Sequence, residues 1–413
     1  MSIKIIIKLF VLTLVPLFIQ AENKIKPVLK AKVKILKKIK LLKENEIIKL
    51  PLATVAGNFN AIAKKYNLDK TGPGIRDYCL KMPWAADRKR AMYCGGNHQV
   101  PHGLNDIWEY DLPSNTWYLL WAPEDFNRRK DVGQWKDAIM KDGVLQSKRG
   151  ATAQAAHTWD QLTYDPKIKA LIWLTSWNIS ANLKSVGLLE KFEKENRHPV
   201  PLWAYYPGKN KWKALGIGQN PKRASNGSLL CYIPELHGTI YYGPRDLKTF
   251  LWSAKTDKWK LFAPKKGGPP REMISCYEGK SKLIIAVSVH SKWLNTSGTY
   301  HFNVRKKEWI KSVSYKPEEM PYGTDREMVI SADSKNGVCI LFTNTKESFG
   351  FWLYEVSKKK WTKLNPKGFN LPPVRRGYNG YFDPARNVFV LFENAGKNIW
   401  IYRYKGTFPS LKK

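Results

Sequence analysis

Arginine recurs along this 413-residue chain just before each of several predicted β-strands. The positions are Arg76, Arg149, Arg223, Arg271, Arg326, Arg375 and Arg376. A guanidinium fork suits carboxylate or sulfate groups, which makes five of these side chains candidate ligand-binding residues. The five candidates are Arg76, Arg149, Arg271, Arg326 and Arg376. The alternative is that they brace neighbouring structural repeats, and the sequence leaves both interpretations open.

Histidines form a second candidate cluster, because five of the seven fall in predicted loops on one face. They are His98, His102, His157, His198 and His290. Trp135, Asp131 and Asp137 lie in a long segment nearby. Converging histidines and carboxylates can bind a metal or act as acid and base. Without a fixed ligand spacing we predict polar contacts to a ligand from His98, His102, His157, His198 and Trp135, and no cofactor, with a metal site as the alternative.

The chain has five cysteines, an odd number for an exported protein. Cys79 and Cys94 lie on the two strands of a predicted hairpin that turns at 86–89. We expect them to stand opposite each other, which allows a cross-strand disulfide. Two buried thiols side by side are the alternative. Cys231, Cys276 and Cys339 lie in apolar strands and are predicted core residues.

The elements that position these side chains follow from a repeated spacing of an aromatic residue, six residues and then tryptophan. The five copies are Tyr110 to Trp117, Tyr205 to Trp212, Trp252 to Trp259, Phe302 to Trp309 and Tyr354 to Trp361. A fixed period near 50 residues indicates one supersecondary unit that is copied several times. Enrichment in Tyr, Trp, Ile, Val and Phe between turn residues predicts four strands in each copy.

Two glycines close a predicted second strand in the first copy, at Gly95-Gly96, and Tyr110 and Trp117 follow. This arrangement resembles the kelch motif, and the resemblance covers residues 46–406. Later copies keep the aromatic pair and replace the glycines. The resemblance implies an all-β propeller in which an arginine before each first strand, as in Pro270-Arg271, often braces adjacent blades.

The galactose oxidase central domain is the kelch-like enzyme to compare. That family holds copper with tyrosines and histidines, and one of its tyrosines is cross-linked to a cysteine. Cys231-Tyr232 and Cys276-Tyr277 are adjacent pairs here, but both fall inside predicted first strands, which favours core packing. The family's seventh blade and its ligand-bearing C-terminal domain find no counterpart in our assignment, so enzymatic activity is left open and is not favoured.

The last copy is incomplete, since Tyr402 would require a tryptophan at position 409, which is proline. An unpaired strand edge is costly, so one chain terminus should supply the missing strand. The segment 46–51 resembles the fourth strand that begins at Trp361. We therefore predict a six-bladed propeller that is closed by an N-terminal donor strand paired with 399–404.

Two long insertions distinguish the first two copies. They run from 123 to 146, between copies 1 and 2, and from 177 to 200, within copy 2. In this topology both kinds of connection emerge on one face. Long loops on a rigid scaffold are where binding function usually lies, so this face is the predicted binding face.

The N-terminus has a positive start, an apolar run and a small residue at Ala21, which predicts a secretory signal over 1–21. An uncleaved signal anchor is the alternative. Residues 22–45 are predicted to be a lysine-rich tether, 46–406 the propeller and 407–413 a tail. Membrane contact through an amphipathic helix at 24–43 is a second interpretation. The predicted location is secreted or periplasmic.

The formal net charge is +36, and lysine outnumbers arginine more than threefold. Nucleic acid is disfavoured as a partner because arginine usually dominates base and phosphate recognition. A lysine-rich solvated surface with no specific partner is one interpretation of the charge, and attraction to a polyanion such as an acidic glycan is the other. The sequence thus predicts an exported propeller that binds an anionic glycan or envelope partner through the loop-rich face. The alternative is a carbohydrate-active oxidase or lyase that uses the histidines and arginines.

Overall fold

The chain folds into a six-bladed β-propeller, seen in a computed structural model, which confirms the predicted fold class. The structure describes residues 32–56, 63–64, 72–73, 79, 81–95, 105–124, 139–152, 158–174, 184, 187, 189–194, 202–217, 227–244, 246–263, 267–290, 292, 294–324, 327–368, 378–393 and 398–408.

Two short strands, β1 (Glu46–Leu50) and β2 (Thr54–Ala56), precede the first blade. Blade 1 contains β3 (Trp84–Ala85), β4 (Arg90–Cys94), β5 (Ile107–Asp111) and β6 (Thr116–Trp121). A separate hairpin, β7 (Ile139–Lys141) and β8 (Val144–Gln146), lies in the first insertion. Blade 2 contains β9 (Leu162–Asp165), β10 (Ala170–Leu174), β11 (Leu202–Tyr206) and β12 (Lys211–Leu215). Helix α2 (Leu189–Lys194) belongs to the second insertion.

The remaining blades repeat the same antiparallel order. Blade 3 contains β13 (Leu229–Ile233), β14 (Gly238–Gly243), β15 (Lys248–Ser253) and β16 (Lys258–Ala263). Blade 4 contains β17 (Ile274–Glu278), β18 (Leu283–Ser288), β19 (Gly298–Asn303) and β20 (Glu308–Ser314). Blade 5 contains β21 (Met328–Asp333), β22 (Val338–Thr343), β23 (Gly350–Glu355) and β24 (Lys360–Lys363). Blade 6 contains β25 (Tyr378–Asp383), β26 (Val388–Glu393) and β27 (Asn398–Arg403). Short 3₁₀ turns occupy Leu112–Ser114 and Pro234–Leu236.

The repeated spacing corresponds to a cross-strand pair, because each aromatic residue faces its tryptophan across the third and fourth strands. Tyr205, for example, stands opposite Trp212, with ring centroids 5.2 Å apart. The same register holds in blades 1, 3, 4 and 5. Such pairs stabilise a sheet by packing large apolar surfaces between blades. The motif seen in the sequence is therefore a core contact.

The turn between these two strands has a residue in the left-handed conformation two positions before each tryptophan. The residues are Asn115, Asn210, Asp257, Lys307 and Lys359. Asn and Asp tolerate this conformation better than most residues. The Asn115 and Asn210 side-chain oxygens accept hydrogen bonds from the hydroxyls of Tyr110 and Tyr205 at 2.6 and 2.8 Å. The aromatic residue and the turn thus hold each other in place.

The N-terminal strand β1 closes the ring, as the sequence predicted. It pairs antiparallel with β27 and places Ile47 opposite Tyr402, in the position that tryptophan takes in other blades. Asn45 is also left-handed, with φ of 54°, and its side-chain oxygen accepts from the Tyr402 hydroxyl at 3.1 Å. The N-terminal segment therefore supplies both the missing strand and the missing turn residue. An unpredicted strand, β2, adds to blade 1 parallel to β6.

The first strands of the six blades surround the central channel. An isolated bridge joins Lys81 of blade 1 to Gly380 of blade 6, and another joins Asp160 to Leu229 between blades 2 and 3. Each first strand lies beside the first strands of both neighbouring blades. The ring is consequently continuous from blade 6 back to blade 1.

Part of the predicted tether packs against the propeller. Residues 32–41 form helix α1, in which Ile35 and Ile39 are buried, and Leu42 is buried just after it. Arg403 of β27 donates to the Ile39 carbonyl at 2.8 Å, which fixes the end of this helix to blade 6. Within the described residues, no helix is long and apolar enough to cross a membrane. The predicted signal at 1–21 lies outside the described residues.

Removing residues 1–51 should sharply lower the melting temperature, because β27 loses its partner and Ile47 and Leu50 leave the core. Burial of such a side chain is worth about 1.5–3 kcal/mol. Removing residues 1–31 is the matched control and should change little. Removing 1–43 should give an intermediate loss, since it deletes helix α1. Equal melting temperatures for the 1–31 and 1–51 deletions would contradict closure by β1.

Replacing Asn210 should separate its two roles in the turn. Asn210→Gly loses the hydrogen bond from Tyr205 and keeps an unstrained left-handed residue. It should cost about 1 kcal/mol in urea unfolding. Asn210→Ala adds backbone strain and should cost about 1 kcal/mol more. If both variants unfold at the urea concentration of the wild type, the turn contributes no stability.

Candidate functional site

A cavity of about 410 Å³ occupies the central channel, and all six blades contribute to its lining. Its wall runs from the middle of the first strands to the turns that follow them, including Pro166, Pro234, Ser334 and Pro384. The cavity, referred to below as the cup, therefore opens on the face of the strand-1-to-2 turns. Its volume falls within the range of about 300–1,000 Å³ that is typical of small-molecule sites.

Aromatic side chains from five blades surround the mouth of the cup. Every first strand ends at an equivalent residue before a four-residue turn. The residue before that end is aromatic in five blades and Ala332 in blade 5. These five residues are the aromatic collar: Trp84, Tyr164, Tyr232, Tyr277 and Phe382, all of which line the cup. The repeat therefore builds a nearly complete aromatic rim.

Two collar tyrosines are held by carboxylates from the turn of the preceding blade. The Tyr164 hydroxyl donates to Asp87 at 2.6 Å, and the Tyr277 hydroxyl donates to Glu235 at 2.6 Å. Burial, followed by these hydrogen bonds, raises the pKa of both hydroxyls far above the ordinary value. The two rings thus stay neutral and fixed in orientation.

Hydroxyl groups form a polar layer one residue deeper in the cup. Thr163 Oγ1 accepts from the Tyr232 backbone at 3.0 Å, and Ser331 Oγ accepts from the Phe382 backbone at 3.0 Å. Each bond joins the first strands of adjacent blades. For the proton of either hydroxyl, the described residues provide no acceptor, so both can donate to a ligand.

A charged cluster closes the inner end of the cup. The Lys81 ammonium donates to Asp160 Oδ2 at 3.2 Å and to the Leu230 carbonyl at 2.9 Å, and Ser275 Oγ donates to the same Asp160 oxygen. Burial raises the pKa of Asp160 to about 6, although Lys81 and Ser275 both lower it. These contacts connect blades 1 to 4. Lysine has three donors, and the third has no acceptor among the residues that the structure describes.

Positive charge dominates the face onto which the cup opens. Both charged side chains in the described lining are lysines, Lys81 and Lys335. The strand-1-to-2 and strand-3-to-4 turns share this face because the strands alternate in direction. These eleven turns contain fifteen lysines and arginines and three carboxylates. Their net charge of +12 is a third of the chain's net charge of +36. The turns concerned are 86–89, 112–115, 166–169, 207–210, 234–237, 254–257, 279–282, 304–307, 334–337, 356–359 and 384–387. An anion is thus attracted to the mouth.

Two of the predicted arginines are described, and neither lines the cup. The Arg149 guanidinium lies 4.0 Å from the Trp121 ring centroid and donates to the Ala122 carbonyl at 3.1 Å. Trp121 in turn contacts Tyr205 and Trp212 of blade 2. The Arg149 guanidinium therefore packs against the end of β6 in blade 1, and its two predicted roles, bracing blades and binding a ligand, both stay predictions. Arg271 is exposed just before β17.

The other predicted site residues fall outside the described part of the chain. They are Arg76, His98, His102, Trp135, His157, His198, Arg326 and Arg376. Their convergence on one mouth stays a prediction. The described strands from which both insertions leave, β6 and β10, end on the face opposite the cup. The described residues contain no cluster of three potential metal ligands.

The predicted opposition of Cys79 and Cys94 is wrong. The hairpin pairs Trp84 with Ala91, and this register continued would place Lys81 opposite Cys94. The Cys79 thiol donates to the Cys94 carbonyl at 2.8 Å, and both residues are buried thiols. The error was one of register, because the predicted turn at 86–89 already pairs Ala85 with Arg90 and so sets Cys94 opposite Lys81, two residues after Cys79.

Sequence reasoning did not find the cup. The collar does have a sequence signal, because an aromatic residue stands two positions before the strand-1-to-2 turn in five of the six blades. Lys81, Asp160 and Ser275 carry no common motif, since they come from three blades and meet only across the channel. No protein-family model matches the chain, and no curated protein matches it. The fold itself is consistent with a kelch-type propeller.

Asp160→Asn should flatten the pH dependence of stability. The Asp160 pKa rises from an ordinary value near 4 to about 6 on folding. Between these values the unfolded state releases a proton that the folded state keeps, so wild-type stability falls as pH rises, by at most about 3 kcal/mol. Urea unfolding at pH 4 and pH 7 should show a smaller fall for the variant. If the free energy of unfolding fell equally between pH 4 and pH 7 in the wild type and in Asp160→Asn, the raised pKa of Asp160 would be contradicted.

Proposed function

We propose that this protein is an exported recognition propeller that binds an anionic carbohydrate in the cup. The observation that carries the proposal is the combination of aromatic collar, inward hydroxyls and lysines in one cavity. Aromatic faces cover the apolar faces of sugar rings, and hydroxyl donors and acceptors match the sugar hydroxyls. Lys81 and Lys335 provide positive charge for a carboxylate or sulfate group.

The sign of the charge favours an acidic ligand over a neutral one. The described lining of the cup contains two ammonium groups and no carboxylate. The surrounding turns extend the positive potential beyond the mouth, which raises the local concentration of anions. A neutral sugar would gain binding energy from the aromatic collar alone, whereas an acidic sugar would gain it from the collar and from the positive charge.

Export rests on the N-terminal segment, whose charged start, apolar run and Ala21 are typical of a secretory signal. An acidic glycan at the cell envelope or outside the cell is then the ligand class that fits both location and charge. The loop-rich face opposite the cup provides a second surface, where an envelope partner would bind. The enzyme alternative depends on His98, His102, His157 and His198, which lie outside the described residues.

Calorimetric titration with an oligosaccharide of uronic acids and its neutral counterpart tests the proposal. We expect saturable binding of the acidic compound only, weakened by added salt. Tyr232→Ala should lower affinity about fivefold through lost ring contact. Lys335→Gln should lower it about twofold to fivefold, as expected for an exposed charge.

The matched control is Lys260→Gln, which removes an exposed lysine on the outer strand β16. It should leave affinity unchanged. Equal binding of acidic and neutral compounds would reject the ligand class. Equal effects of Lys260→Gln and Lys335→Gln would show nonspecific attraction. Loss of binding in Arg149→Ala, but not in Tyr232→Ala, would move the site to the loop-rich face.

A further inference from the structure

We propose that Cys276 and Cys339 form a redox-active dithiol in the wall of the cup, which a small disulfide oxidises to a covalent link between blades 4 and 5. This proposal does not depend on the identity of the ligand. It rests on a contact between two thiols, on their unequal access to the cup and on the position of their strands.

The two sulfur atoms are already in contact. The Cys276 thiol donates to the Cys339 sulfur, and the Sγ atoms are 3.4 Å apart. Cys276 lies in β17, the first strand of blade 4, and Cys339 lies in β22, the second strand of blade 5. A disulfide bond is about 2.05 Å long, so a small approach of two packed strands is sufficient. The Cys79 thiol, by contrast, donates to a carbonyl oxygen.

Access to the cup differs between the two thiols. Cys276 lines the cavity and is 8% exposed, whereas Cys339 is 0% exposed. A small oxidant entering through the collar therefore meets Cys276 first. Cys339 is then positioned behind it as the thiol that completes the bond.

The chemistry is two successive thiol–disulfide exchanges. The Cys276 thiolate attacks one sulfur of a small disulfide, forms a mixed disulfide and releases one small thiol. The Cys339 thiolate then attacks the Cys276 sulfur and releases the second small thiol. Two protein thiols lose two electrons and two protons, which the small disulfide takes up as two thiols.

Exchange at neutral pH should be slow. The hydrogen bond with Cys339, together with burial, raises the pKa of the Cys276 thiol well above its ordinary value. The thiolate is the attacking species, so only a small fraction of the protein reacts at any moment. Hours of incubation are therefore appropriate, under conditions that keep the chain folded.

The test is to incubate the folded full chain with oxidised glutathione at pH 8 and then alkylate the remaining thiols in denaturant. All five cysteines are thiols at the start. Peptide mapping by mass spectrometry should show that alkylated cysteines fall from five to three, with one cross-linked peptide containing Cys276 and Cys339. Five alkylated cysteines after incubation, or a cross-link between any other pair, would overturn the proposal.

Single variants order the two steps. Cys339→Ser should retain glutathione on Cys276, because the resolving thiol is missing, and Cys276→Ser should stay fully reduced. Cys231→Ser is the matched control, since Cys231 occupies the equivalent place in blade 3. It should still form the cross-link. Circular dichroism checks that each variant folds. If a variant does not fold, the peptide map of the wild type still shows whether Cys276 and Cys339 become cross-linked. Glutathione retained on Cys339 in Cys276→Ser would refute the order.

Discussion

Pairing between β1 and β27 is the interaction on which the rest of the structure depends. Blade 6 has three strands of its own, and its fourth comes from residues about 350 positions away in the sequence. A blade buries its faces only against its neighbours, so an open ring would expose the core between blades 6 and 1. The N-terminal segment also replaces the turn residue of a complete blade. The Asn45 side chain accepts a hydrogen bond from the Tyr402 hydroxyl, as Asn115 and Asn210 do from Tyr110 and Tyr205. Ring closure also aligns the six first strands that form the cup.

The charged cluster at the inner end of the cup is not explained by stability alone. Desolvating an ion pair usually costs as much as the attraction returns, so an apolar plug would hold the blades at least as well as Lys81 and Asp160 do. Asp160 is buried to 3% exposure, and its pKa is raised to about 6 despite the adjacent ammonium, which shows that burial dominates. A cost of this kind is reasonable where a fixed positive group must face a ligand. The aromatic collar and the basic turns around the mouth are the other features on which the proposed acidic ligand rests.

The two faces of the propeller differ in construction. The face of the cup consists of short four-residue turns that repeat around the ring, so its collar and its charge follow from the repeat itself. The opposite face carries the insertions of blades 1 and 2, where Glu124 accepts from Ser147 and Asn105 at 2.7 and 2.9 Å and thereby fixes the start of the first insertion. The Arg149 backbone N–H donates to Glu124 at 3.2 Å, and the Arg149 guanidinium stacks on the Trp121 ring.

The sequence by itself determined the repeat, the number of blades and the closing strand. It could do so because each blade is encoded by neighbours in the chain: the aromatic residue and its tryptophan are seven residues apart and face each other across one turn. The missing tryptophan at Pro409 was likewise a local signal. The predicted opposition of Cys79 and Cys94 was wrong by two residues, although the turn at 86–89 was itself sufficient to place Lys81 opposite Cys94. Only the tertiary structure decided the cup. Asp160 lies 79 residues after Lys81 and 115 residues before Ser275, and the three meet because six separate strands converge on one axis. A periodic pattern in the sequence does not show which side chains from different blades will meet in the central channel, because their meeting depends on the curvature of the whole ring.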